Sequence, residues 1–208
     1  MKVRLLASLI VVCSLGGCFP PQEFTPVRYY TIEPLSLQGY QVARTWPITL
    51  GVQPFTAATR YKDRILYRLS EVEVGFYEYD RWVEPPEEMV TRVVTAFLRT
   101  SGLFQLVTSA DNVRLPAWIL SGEVTRFDEV RMPAGSQAEC WLRLELQRAR
   151  DEQLLWSEVL TATAFLTAET PEALAQAMSQ AVHEIALHLV ERLTATALPV
   201  PQTSKAEK

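Results

Sequence analysis

The chain has 208 residues, 48% hydrophobic and 21% charged, which suits one domain of ordinary size with a substantial core. Its 20 basic and 24 acidic residues leave a formal charge of −4, a mildly acidic mixture that argues against nucleic acid as a partner.

The N-terminus is a secretory leader by its parts. Lys2 and Arg4 supply positive charge, Leu5 to Val12 is almost purely apolar, and Gly16-Gly17 precede Cys18. Leu15-Gly16-Gly17-Cys18 resembles the bacterial lipobox. That resemblance implies a signal peptide over 1–17 and a diacylglycerol on the Cys18 thiol, with Cys18 as the first mature residue. The apolar run is shorter than the roughly 20 residues a spanning helix needs, so the expected attachment is an anchor. More than one acyl chain is required for stable anchoring. Phe19 follows Cys18 where an aspartate would favour inner-membrane retention, so the expected location is the outer membrane, facing the periplasm. Losing Lys2 and Arg4 with the leader takes the basic count from 20 to 18 against 24 acidic residues, and the balance to −6. Cys13 leaves with the leader and Cys18 is lipidated. Cys140 then stands alone, so no intrachain disulfide is expected.

Residues 18–27 contain Pro20, Pro21 and Pro26 and read as an extended tether. Arg28 to Glu33 reads as a first strand and Ile48 to Phe55 as a second, bounded by prolines. Ile65 to Trp82 is the densest strand signal, with Val72, Val74 and Phe76 on one face and Glu71 and Glu73 on the other. Pro85-Pro86 ends it. Glu87 and Glu88 then suit the first turn of a helix, Met89 to Leu98 carries its apolar stripe, and Gly102 is a C-cap residue. Strands are expected at Phe104–Val107, Ala117–Val130, Ala138–Arg148 and about Leu154–Leu166, with a turn at Pro133–Ser136 and another at Asp151–Gln153. Thr170, Pro171 and Glu172 open a last helix, whose stripe runs from Leu174 to Leu193. Residues 198–208 read as a disordered tail. The order predicts one α+β domain over 28–197, a mostly antiparallel sheet with two amphipathic helices packed on one face.

No catalytic set emerges, and no enzyme is expected. His183 and His188 are five apart on a helix, roughly 140° around the axis, and are expected on its surface rather than on one metal. Phosphate-binding glycine loops and Gly-x-Ser-x-Gly are missing, so no cofactor or metal is expected. Cys140 alternates with Trp141 on the side of Leu142 and Leu144 and reads as a buried thiol. Glu71/Glu73 and Asp128/Glu129 are expected on solvent faces. The remaining candidates are aromatic: Tyr77, Tyr79 and Trp82 with Arg81, and Trp141. Tyr, Trp and Arg are enriched at interface hot spots, so these five are the expected partner-binding residues.

Several stretches in order resemble one family. They are Tyr29-Tyr30-Thr31-Ile32, Ile65-Leu66-Tyr67-Arg68-Leu69, Glu78 to Pro86 with its Trp-x-x-Pro-Pro turn, Ser101-Gly102-Leu103-Phe104, and Ile119 to Val124 with Phe127 beyond. Together they are similar to the ABC-type transport auxiliary lipoproteins, the PqiC-like group, over about residues 18–195. The resemblance implies a non-catalytic accessory of an ABC system. Its partners would be an MCE-domain protein with its permease and ATPase, and its cargo lipids or other hydrophobic molecules. A small anchored domain meeting a multimeric tip is also a candidate homo-oligomer. Two alternatives stand beside this: a lipid-carrying periplasmic protein with a cavity between sheet and helices, and a structural assembly or pilot lipoprotein.

Overall fold

The computed structural model describes residues 25–35, 42, 44–112, 116–196 and 198. The expected signal peptide, Cys18, the tether up to residue 24 and the tail from residue 199 lie outside them. In chain order come β1 (Arg28–Tyr30), β2 (Trp46–Val52), β3 (Thr56–Ala57), β4 (Arg64–Arg68) and β5 (Val74–Trp82). Then follow α1 (Pro86–Ser101), β6 (Phe104–Ser109), a 3-10 turn at Ala110–Asn112, β7 (Trp118–Val130), β8 (Gln137–Arg148), β9 (Leu154–Phe165) and α2 (Pro171–Ala195).

Strand β7 is the spine of the sheet. Along one edge it takes three short parallel partners in succession: β2 at 118–120, β3 at 123–124 and β4 at 129–130. Its other edge carries β8 in antiparallel register from Trp118↔Arg148 to Val130↔Gln137, and β9 pairs antiparallel outside β8. The sheet therefore forks, with β6 added on β2 at one end and β5 then β1 added on β4 at the other. The longest pairings are antiparallel, as expected. Pairings of β2, β3 and β4 with β7, of β2 with β6 and of β1 with β5 are parallel. Parallel neighbours are joined by crossovers rather than tight turns, so they leave no hairpin signal in the sequence.

The stretch Ile65 to Trp82 is not one strand but a hairpin. Glu73 carbonyl accepts from the Leu69 and Ser70 amides at 3.0 and 3.4 Å, and Ser70 Oγ accepts from the Glu73 amide at 3.1 Å. The turn throws Val72 out to 93% exposure, so its alternation with Val74 and Phe76 is not a buried face. A serine that can bond its own backbone competes with strand pairing, which is the physical reason for the break.

Both helices begin and end for legible reasons. Pro86 occupies the first turn of α1, with Glu87 and Glu88 beside it, and Gly102 closes the helix at φ 69° in the left-handed region. Thr170 caps α2 by accepting from the Ala173 amide at 3.2 Å. Helix α2 lies on β8 and β9 and against α1, and α1 lies on β6 and β7. The inward residues of β8 (Ala138, Cys140, Leu142, Leu144 and Leu146) are fully buried, as are Leu174, Met178, Val182, Ile185 and Leu189 of α2. Each large apolar side chain so covered contributes about 1.5–3 kcal/mol. The helix–sheet interface is thus filled by side chains from both sides. Leu198, assigned by the sequence to the tail, is 5% exposed and belongs to this core.

Candidate functional site

Away from the helices, β7, β8 and β9 present a polar and aromatic face. The period of two puts Trp141 opposite Arg126 on β7 and Thr161 on β9, and Arg143 opposite Glu123 and Val159. Arg126 stacks over the Trp141 ring at 4.2 Å and bonds Glu139 at 2.8 Å, while Trp141 Nε1 donates to the same carboxylate at 3.0 Å. The ring is therefore half-buried but held upright by two neighbours that also bond each other, a low-entropy arrangement for a contact residue. Arg143 and Glu123 form an exposed pair at 2.6 Å next to it. Beyond them β9 is a sheet edge: among the described residues it pairs only with β8, and Val159 and Phe165 are 47% and 67% exposed.

The other expected contact residues are dispersed. Trp82 is 2% exposed and packs edge-on to Phe127 with ring centres 5.3 Å apart, so it is a core residue and not part of a surface patch. Its ring lies on the sheet face that joins the core with Phe127 of β7, whereas Trp141 lies on the face away from the helices. Arg81 donates to the Tyr77, Asp80 and Glu78 carbonyls at 2.8–2.9 Å and so braces its own strand. Tyr79 is 40% exposed. Tyr77 is half-buried, its hydroxyl donating to Glu129 at 2.7 Å.

That last bond belongs to a cluster the sequence analysis placed on the solvent. Asp128 and Glu129 are 0% and 1% exposed. Asp128 accepts from the Tyr61 hydroxyl at 2.6 Å and from Arg68 at 2.7 and 3.0 Å. Glu129 accepts from Tyr77 and from Arg131 at 2.9 and 3.2 Å. Arg131 also covers the Tyr67 ring at 3.7 Å, and Tyr67 meets Tyr77 edge-on. Gly75 makes room, since a Cβ there would sit 2.4 Å from the Tyr67 ring. Burial, then the neighbouring Asp128, pushes the Tyr61 hydroxyl up to about 12. Burial and then the Glu129 bond likewise raise Tyr77. Both phenols stay protonated donors, so the cluster is a brace that ties the β4–β5 hairpin to the end of β7. One signal could have exposed the error: consecutive strand residues point to opposite faces, so two adjacent acids cannot both face solvent on a half-buried sheet.

Cys140 is fully buried, as expected, and burial raises its thiol well above the usual range, which leaves it protonated and inert. His183, expected on the helix surface, packs edge-on to Phe97 of α1 at 5.1 Å, and burial lowers its pKa. Among the described residues no group of His, Cys, Asp and Glu could hold a metal, and no helix is long and apolar enough to cross a membrane. Two grooves flank α2. One lies against β9 with a volume of about 430 Å³, floored by Glu158 and Arg192. The other, of about 520 Å³, lies against β1 and the residues after it.

A two-helix layer on a forked, mixed sheet defines a single domain of the α+β class. The sequence profile of the ABC-type transport auxiliary lipoprotein component family matches residues 30–190, and the chain belongs to that family. Among solved structures it is similar to protein XCC0632 from Xanthomonas campestris, at 21% identity and TM-score 0.66, over 81% of this chain and 94% of that one. A second crystal structure, of an uncharacterized protein, is similar at 13% identity and TM-score 0.66, over 81% of this chain and 99% of that one. These likenesses show the fold. No curated protein matches the chain.

Proposed function

We propose that this chain is a non-catalytic docking subunit of an MCE-type ABC system that moves lipids or other hydrophobic molecules across the cell envelope. Membership of the auxiliary lipoprotein family carries the reading. The acyl chains on Cys18 hold the domain at the outer membrane, and the face built on Trp141, Arg126 and Arg143 meets the MCE-domain protein. Two features of that face support a docking role. A braced tryptophan flanked by arginines is the composition of an interface hot spot. The edge of β9, unpaired among the described residues, offers backbone donors and acceptors to an incoming strand. The enclosed-carrier alternative finds no support in a helix–sheet interface filled from both sides.

The test is a pull-down of the tagged, lipidated protein from mildly solubilised membranes, read by mass spectrometry for proteins and lipids together. Recovery of an MCE-domain protein, lost in Trp141→Ala, is the expected result. Recovery of outer-membrane assembly proteins without any transporter would overturn the proposal in favour of a pilot lipoprotein.

A further inference from the structure

The groove between β1 and α2 is built rather than accidental. Ser179 Oγ on α2 accepts from the Glu33 amide at 3.3 Å and donates to the Ala175 carbonyl at 2.8 Å, fixing the segment after β1 along the helix. Tyr29 and Leu35 wall one side, Ala175 and Gln176 the other, and the carboxylates of Glu33 and Glu172 stand at the rim. Its volume of about 520 Å³ lies within the range of about 300–1,000 Å³ usual for small-molecule sites. Tyr29 is 63% exposed and Leu35 41%, so the apolar wall is open to an occupant. Glu33 meets Arg92 only at 3.5 Å, and its side chain is 66% exposed.

The position of the groove says what that occupant is. The chain from Cys18 to Tyr29 spans at most about 40 Å when fully extended, so the groove stays close to the membrane that holds the anchor. The same edge of the fold carries Val27 and Val83, 43% and 56% exposed, and the Val83 amide bonds the Tyr30 carbonyl at 2.8 Å. Tyrosine with aliphatic neighbours is the composition of a membrane–water boundary. We propose that this groove takes one acyl chain of a phospholipid from that membrane. The rim carboxylates select an amine-bearing headgroup over an anionic one by simple charge complementarity. The proposal rests on the anchor reading of Cys18.

The experiment uses full-length lipidated protein in vesicles of phosphatidylethanolamine and phosphatidylglycerol, with a photoreactive acyl chain placed on one headgroup at a time. Cross-linked peptides are mapped by mass spectrometry. The expected result is labelling concentrated at 25–35 and 172–180, stronger from the ethanolamine lipid. Tyr29→Ser should lose the labelling without a change in melting temperature, because Tyr29 is largely exposed. Glu33→Gln with Glu172→Gln should remove the headgroup preference. Labelling that is absent from these peptides, or spread evenly over the domain, overturns the groove; equal yield from both headgroups overturns the selectivity. Only the vesicle lipid carries the photoreactive group, so occupation by the Cys18 chains themselves would register as absence. The mass of the N-terminal peptide reads the anchor separately: unmodified Cys18 with the groove still labelled would overturn the anchor and keep the groove.

Discussion

Asp128→Ala tests whether the buried cluster braces the fold. The substitution removes the shared acceptor of the Tyr61 hydroxyl and of Arg68, whose side chain is 11% exposed and whose charge then keeps only the Glu71 carbonyl, at 3.0 Å. Breaking a buried pair from one side costs about 3–5 kcal/mol, because the remaining charge stays buried and uncompensated. That is a large fraction of a total stability of about 5–15 kcal/mol. With a urea slope of about 1–3 kcal/mol per molar, the unfolding midpoint should fall by at least about 1 M. The assay is equilibrium urea unfolding followed by tryptophan fluorescence. The control replaces the whole set, Tyr61→Phe with Arg68→Met and Asp128→Leu. Apolar replacement of every partner leaves nothing stranded, so this variant should recover most of the loss. A loss below about 1 kcal/mol for the single variant would refute the reasoning, since a surface ion pair contributes that much. A triple variant as unstable as the single one would refute it too.

Trp82→Ala should cost about 3–5 kcal/mol by leaving a core cavity. Trp141→Ala should cost about 1 kcal/mol while abolishing partner capture, and thermal melts beside the pull-down separate the two. Gly75→Val should cost about 1–3 kcal/mol by driving Tyr67 off Tyr77 and Arg131, measured as a shift in the urea midpoint. His183 has a lowered pKa in the folded state, so below its ordinary value near 6.5 the unfolded chain binds more protons. Stability should therefore be full above that value and fall as pH drops through it, and in His183→Phe the difference in melting temperature between pH 7.5 and pH 5.5 should shrink.

What was legible in the chain was whatever local chemistry decides. Pro86, Gly102, Thr170 and Pro171 set helix ends through their own backbone constraints and side-chain bonds, and all four act as their residue types dictate. The alternation through Cys140, Leu142, Leu144 and Leu146 marked the inward face of β8, because a strand's period of two is independent of its partners.

Tertiary structure decided what depends on neighbours far along the chain. Trp82 is a core residue because Phe127, far along the chain on β7, packs against its ring, and nothing local distinguishes it from Trp141. Asp128 is buried because Arg68 and Tyr61, 60 and 67 residues away, arrive to neutralise and bond it. The parallel partners of β7 and the groove beside β1 arise from elements brought together across crossovers. Local residue preference is felt within a few positions of the backbone, whereas burial and charge pairing are set only when distant segments meet.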